Sequence, residues 1–469
     1  MKVSKGMRGK QKTHTRGCVH GGRVEPGDRA GVLSIPAASE RGRNVENECT
    51  RGLLEKILDR DNLNTAYKRV KSNKGSHGVD GMKVDEFLPF LQRNGETITQ
   101  KLLEGTYRPA PVRRVEIPKP DGGVRLLGIP TVLDRWVQQA ITQILSPIFE
   151  EGFSDSSYGF RPGRSARQAV EAAKRHIEDG YNWTVDLDLE KFFDRVNHDK
   201  LMSMMAAKIQ DKRVLRLIRR YLESGIMLNG VKVDAEEGVP QGGPLSPLLS
   251  NIMLDSFDKE LERRGHRFCR YADDCNIYVK SRRAGERVMT SVTTYLEGTL
   301  KLKVNREKSA VDRPAQRKFL GFSFYYPRGG VGIRIHEKSL RKFTEKVKEI
   351  TSRSNAMSME QRIAKLNESS VGWINYFGVA DMKRRVSAID EWIRRRLRMC
   401  HWKQWKRIKT RHDNLVRLGT DKHKAWEFAN TRKGYWRISN SPILATTLTN
   451  RYFEKLGFQS LAKRYSLVH

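Results

Sequence analysis

The sequence predicts an α+β fold in which an antiparallel sheet presents carboxylates and a helical, basic region follows it. Three observations lead there. Phe268-Cys269-Arg270-Tyr271 and Cys275-Asn276-Ile277-Tyr278-Val279 are short runs rich in aromatic and β-branched residues. They flank Ala272-Asp273-Asp274 and read as a β-hairpin with two adjacent acids at its tip. Trp183-Thr184-Val185-Asp186-Leu187-Asp188-Leu189 alternates apolar and acidic residues with period two, which places Val185, Leu187 and Leu189 on one sheet face and Asp186 and Asp188 on the other. After about Gly332 the composition becomes helical, basic and rich in tryptophan.

The remaining elements follow in order. Leu53 to Val70 has helical apolar spacing, broken by Asn73-Lys74-Gly75 and Gly78-Val79-Asp80-Gly81. Arg113 to Arg125 reads as a hairpin around a Pro120-Asp121-Gly122-Gly123 turn, with basic residues on both arms. Glu190 onward turns toward a helix. Gly238-Val239-Pro240-Gln241-Gly242-Gly243-Pro244-Leu245-Ser246-Pro247 is turn-rich and enters an apolar helix through Asn251. Ile389 to Lys409 holds Arg394, Arg395, Arg396, Arg398, Lys403, Lys406, Arg407 and Lys409 among Trp392, Trp402 and Trp405. Cations that follow phosphates and aromatics that stack on bases suit nucleic acid; a tryptophan core face beside a solvated basic face is the plainer alternative.

Charge narrows the partner. Lys and Arg number 89 against 54 Asp and Glu, a net +35, which a polyanionic partner makes tolerable. No apolar run is long enough to span a membrane and no strong amphipathic anchor stands out, so nucleic acid is the expected partner and no membrane. Cys18, Cys49, Cys269, Cys275 and Cys400 lack C-x-x-C spacing, arguing for a reducing compartment and against structural zinc. Residues 1–48 are basic, Gly-rich and aperiodic, so disorder is expected there; Glu25, Asp28, Glu40 and Glu46 fit a transit peptide poorly.

An Asp-Asp turn alone is ordinarily just solvated. A third acid upstream in an equally marked strand changes that, because clustered like charges persist only with compensation. Mg²⁺, which takes carboxylate oxygen together with phosphate, is the obvious compensation.

Asp188 with Phe192 and Phe193, followed by Tyr271-Ala272-Asp273-Asp274, resembles motifs A and C of reverse transcriptases. The resemblance implies a right-hand polymerase in which Asp188, Asp273 and Asp274 hold two Mg²⁺ ions. Asp188 is preferred to Asp186 because Phe193 lies five residues on; at that spacing the family places a ring under the sugar of the incoming nucleotide, favouring dNTPs. Lys119 and Arg125 would touch nucleotide phosphates from the fingers hairpin. Tyr158-Gly159-Phe160-Arg161-Pro162-Gly163-Arg164-Ser165 resembles the template-side motif, with Arg161 and Arg164 at phosphate. Gln241 would sit beside the nascent base pair, Lys308 near the departing pyrophosphate, and Gly321 of Phe319-Leu320-Gly321-Phe322 against the primer.

Val371-Gly372-Trp373-Ile374-Asn375-Tyr376-Phe377, with Arg398-Met399-Cys400-His401-Trp402-Lys403-Gln404-Trp405-Lys406, resembles domain X of group II intron-encoded maturases. From about Leu53 onward the chain is similar to the compact bacterial class. Without paired cysteines, an HNH endonuclease and second-strand cleavage are not expected. The implied organisation is a tail (1–48), fingers and palm (49–330), a thumb or maturase domain (331–430) and a basic DNA-binding-like segment (431–469). The implied partners are intron RNA, an RNA template with DNA primer, target DNA and dNTPs, within a ribonucleoprotein of a bacterial cytoplasm. Arg394, Arg395, Arg396, Arg398 and Trp402 are the expected RNA contacts. The alternatives are a reverse transcriptase domesticated for a task such as phage defence, and a splicing-only RNA-binding maturase.

Overall fold

In the computed structural model, Leu53 to Val70 folds as two helices, Leu53–Ile57 and Arg60–Ser72. Asp59 separates them by capping the second, accepting from the amides of Asp61 and Asn62. The capping signal outweighs the continuous apolar spacing. The structure describes residues 52–118, 122–228, 231–233 and 237–469, so the expectations for residues 1–48 and for Lys119 lie outside the described residues.

The strands are β1 (Val112–Pro118), β2 (Val124–Ile129), β3 (Trp183–Leu187), β4 (Ile226–Leu228), β5 (Val231–Val233), β6 (Arg267–Tyr271), β7 (Asp274–Val279), β8 (Ala310–Asp312), β9 (Phe322–Tyr325) and β10 (Gly332–Ile335). One sheet runs β6-β7-β3-β8 and is antiparallel throughout. A second runs β2-β1-β4-β5, where β1 and β4 pair in parallel. β9 and β10 form a separate hairpin.

The alternation in β3 does what its period requires. Val185, Leu187 and Leu189 are buried, while Asp186 and Asp188 lie on the opposite, half-exposed face. β3 is interior rather than an edge, because β7 and β8 pair on either side of it. Burying both edges of this strand fixes its register, and one slip would put both acids into the core.

Two apolar clusters build the body. The first gathers the N-terminal helices, the helix Val132–Glu150, the helix Ser246–Arg263 and one face of the antiparallel sheet. The second takes Cys269 and Tyr278 from the same sheet, the helix Ala166–Glu178 and the β9–β10 hairpin. It extends through the helices Met359–Phe377, Lys383–Gln404 and Leu461–Val468. The C-terminal helical region begins at Glu337, since Gly332–Ile335 still pairs as β10. No described helix is long and apolar enough to cross a membrane.

Candidate active site and nucleic-acid interface

The β6–β7 hairpin closes with Tyr271 paired to Asp274, leaving Ala272 and Asp273 as a two-residue turn. Ala272 takes φ +58, a conformation L residues adopt only when their surroundings impose it. Leu187 pairs with Cys275, so the next step of the same ladder brings Asp188 beside Asp274. Asp186, Asp188 and Asp274 then share one end and one face of the sheet.

The two upstream acids differ in their commitments. Asp186 Oδ2 is bound by Arg317 at 2.6 Å. Asp188 keeps an exposed carboxylate, with Lys308 Nζ 3.6 Å from its Oδ2. Its backbone is stitched to the loop that carries Lys308: the Asn305 amide donates to the Asp188 carbonyl at 2.8 Å, and Ser309 Oγ accepts from the Asp188 amide at 3.0 Å.

The electrostatics are those of a site short of positive charge. Burial, reinforced by Asp186 and Asp273, pushes the Asp274 carboxyl up to about 8. Burial also raises Asp273, with Asp188 adding to the rise and Arg125 opposing it. Among the described residues no three His, Cys, Asp or Glu side chains are close enough to enclose a metal ion alone. Asp188, Asp273 and Asp274 are therefore not gathered tightly enough here to enclose a cation by themselves, and further oxygen ligands such as phosphate and water would have to complete its shell. The excess negative charge fits such a cation.

The other expected site residues lie on elements far apart in sequence. Arg125 projects from β2, exposed, near enough for its charge to reach Asp273. The Gly128 amide of β2 donates to the Gln241 carbonyl at 2.9 Å. Gly242, at φ +133, lies so close to β2 that a Cβ there would stand 2.7 Å from the Gly128 oxygen. Phe193 is half-buried, edge-on to Phe192, and its carbonyl accepts from the Val239 amide. Phe193 and Gln241 line one cavity of about 380 Å³, with Arg114, Lys191 and Gly128 also on its wall. Gly321, at φ +88, gives its carbonyl to the His336 amide and to Ser339 Oγ, while Tyr376 holds the Leu320 carbonyl at 3.0 Å.

Two expected nucleic-acid contacts are corrected. Arg161 is 8% exposed, ion-paired to Glu150 and bonded to the Ser154 and Ser157 carbonyls, so its guanidinium has no face left for phosphate. Trp402 is 1% exposed, packed edge-on to Trp405 with Arg411 over its ring. It belongs to the core. Arg164 stays at the surface, bound to Asp155 and lying over Tyr158.

The four arginines of the helix Lys383–Gln404 are half-buried and tied to neighbouring elements. Arg394 pairs with Asp390, and Arg395 lies 3.9 Å from the Trp436 ring centre. Arg396 Nε donates to Thr351 Oγ1, and Arg398 Nε to the Leu448 carbonyl. Beside them the sequence reading missed a cavity of about 660 Å³ that meets Lys348, Arg353, Arg396, Lys403, Tyr435 and Trp436, with no Asp or Glu in its wall. Arg353 and Lys403 both lie over the Tyr435 ring. Arg396 and Lys403 belong to the basic run Ile389 to Lys409, but Lys348, Arg353, Tyr435 and Trp436 lie up to nearly ninety positions apart, and only the fold brings them to that run.

Comparison with known proteins agrees with both halves. The reverse transcriptase (RNA-dependent DNA polymerase) family matches residues 117–324, and the group II intron, maturase-specific domain matches residues 340–419. Protein YkfC of Escherichia coli K12 is 36% identical over 299 residues, covering 55% of this chain and 78% of that protein. The group II intron-encoded protein LtrA of Lactococcus lactis is 30% identical over 353 residues, covering 61% of this chain and 58% of LtrA. An uncharacterized 91 kDa protein in a cob intron of Schizosaccharomyces pombe is 36% identical over 234 residues, 48% of this chain and 28% of that one. The chain thus spans less than two thirds of LtrA. With a polymerase family over its sheets and a maturase family over its helices, the chain belongs to the group II intron-encoded reverse transcriptases that carry a maturase domain.

Proposed function

We propose that the protein copies RNA into DNA and also binds a group II intron RNA to promote its splicing and mobility, working as a ribonucleoprotein in a bacterial cytoplasm. The observation that carries this reading is the ladder register that sets Asp188 beside Asp274 and the Asp273 turn. In this reading Asp188, Asp273 and Asp274 would hold two Mg²⁺ ions, with nucleotide phosphate and water completing the shells. When bound, the ions activate the primer 3′-oxygen and neutralise charge on the triphosphate and leaving pyrophosphate.

The chain's own groups prepare the substrates. Arg125 and Lys119 meet the dNTP phosphates from the fingers hairpin, Arg125 as a planar fork and Lys119 as a point charge. Gln241 and Phe193 wall the cavity that takes the nascent pair. Lys308, already at Asp188, stands ready for the pyrophosphate. Gly321 lets the primer strand approach the backbone.

The test is direct: the purified full chain with an RNA template, a DNA primer, dNTPs and MgCl₂ extends the primer, and it accelerates splicing of a cognate intron precursor. Absence of extension under all divalent metals tried sinks the polymerase half. A sharper measurement is the ratio of kcat/KM values for dNTP and rNTP. Phe193→Ala lowers that ratio roughly tenfold or more, the scale on which a pocket discriminates one small group. An unchanged ratio moves the sugar gate elsewhere.

The maturase half is tested at the acid-free cavity rather than at Arg394–Arg398, whose loss would disturb packing. Lys348→Ala, Arg353→Ala and Lys403→Ala together weaken intron RNA binding. They also reduce the log–log salt slope by roughly two for single-stranded contacts. Equal binding and an unchanged slope place the RNA on another surface.

A further inference from the structure

The Tyr158-Gly159 segment packs behind the Asp273 turn. Its backbone pairs with β6: the Tyr158 amide donates to the Arg270 carbonyl at 2.8 Å, and the Arg270 amide to the Ser156 carbonyl at 2.9 Å. A Cβ on Gly159 would stand 2.3 Å from the Ala272 nitrogen and 2.9 Å from the Tyr271 carbonyl carbon. Both are backbone atoms of the turn, so neither can swing aside as a side chain would. The glycine is required by contact, since its own φ is not in the left-handed region.

Side chains lock the same turn from below. Arg270 is 1% exposed, and its Nη1 donates to the Ala272 carbonyl at 2.9 Å and to Asn251 Oδ1 at 3.0 Å. Its Nε donates to Asp258 Oδ1 at 2.7 Å, and Asp258 is fully buried. Asn251 Nδ2 completes the circuit by donating to the Gly159 carbonyl at 2.9 Å. Asn251 and Asp258 both lie on the helix Ser246–Arg263, so one rigid helix faces the segment and the turn together. The side-chain polar atoms of Arg270, Asn251 and Asp258 all find partners within this network, which makes the arrangement specific rather than merely close-packed.

We propose that Gly159, Asn251 and the Arg270–Asp258 pair are positioning residues that set the placement of Asp273 by bracketing the strained Ala272 turn from behind. The bracket rests on the reading of Asp273 as a catalytic carboxylate. It gives that carboxylate a fixed location without touching nucleotide, metal or primer, as a preorganised site needs from its surroundings.

The experiment measures single-nucleotide extension by full-length Gly159→Ala and Asn251→Ala, with Asp273→Ala and an exposed control, Arg263→Ala, alongside. Gly159→Ala pushes on the turn, whereas Asn251→Ala releases it without adding bulk. The expected result is a fall in kcat of roughly 100-fold for Gly159→Ala, the cost of about 1 Å of misplacement, and a smaller fall for Asn251→Ala. KM for dNTP, primer–template affinity and melting temperature stay near those of Arg263→Ala. A kcat within threefold of wild type in both variants overturns the proposal. So does a parallel loss of melting temperature, template affinity and kcat in both, which would make the network a support of the fold alone. If Asp273→Ala itself retains activity, the catalytic reading has failed; if only that variant is inactive, the bracket has.

Discussion

Asp273→Ala is expected to reduce primer extension on an RNA template by at least about 100-fold, equivalent to roughly 2.7 kcal/mol of barrier, while RNA binding persists. The carboxylate sits at the turn of the β6–β7 hairpin, where burial and Asp188 both raise its proton affinity. Such a group is costly to keep and is explained by a cation it helps to hold. The basic surfaces that would meet RNA lie elsewhere in the chain, so binding is read separately by anisotropy with labelled intron RNA. Extension above about a hundredth of the wild-type rate would remove Asp273 from the metal-binding set.

Trp402→Ala is expected to act through stability, not recognition. The ring is among the largest fully buried side chains, wedged against Trp405 and beneath Arg411. Truncating such a residue costs about 3–5 kcal/mol, from lost transfer energy and the cavity left behind. Thermal unfolding should therefore show a clearly lowered midpoint, and RNA affinity measured well below that midpoint should hold. Intact stability with lost RNA affinity would place the indole at the surface after all.

How much of this was legible beforehand follows from how the chemistry is distributed. Asp188 and Asp273 lie in short contiguous strings with a periodicity or turn signal of their own, whereas the expected roles of Phe193 and Gln241 come only from the family resemblance of the strings that hold them. The supports are dispersed. Asn251 and Asp258 sit on a helix whose apolar residues advertise only a core face, and Arg270 reads as one more strand residue. Only the folded register brings them to the turn.

Arg161 misleads for the opposite reason. An arginine beside Pro162 and Gly163 looks like a surface residue, yet its fork is used up by two carbonyls and Glu150. The same ambiguity covers the arginine run at 394–398, where guanidinium groups serve helix packing as readily as phosphate. Asp59 was a visible helix cap within a longer apolar pattern, and the pattern prevailed in the reading though not in the chain.

The second apolar cluster has a consequence for synthesis. It takes Tyr158, Cys269 and Tyr278 from around the catalytic sheet and closes on Leu461 and Tyr465. When the hairpin bearing Asp273 leaves the ribosome, the far side of its sheet can already meet the helix Ala166–Glu178, but it still lacks the β9–β10 hairpin and the C-terminal helices, which end nearly two hundred residues later. That face therefore stays only partly covered for about ten to forty seconds at ordinary elongation rates. The nascent chain would therefore depend on a holdase or on its own RNA during that interval, and a stalled or clipped product would be lost to aggregation rather than persist as a free-standing polymerase.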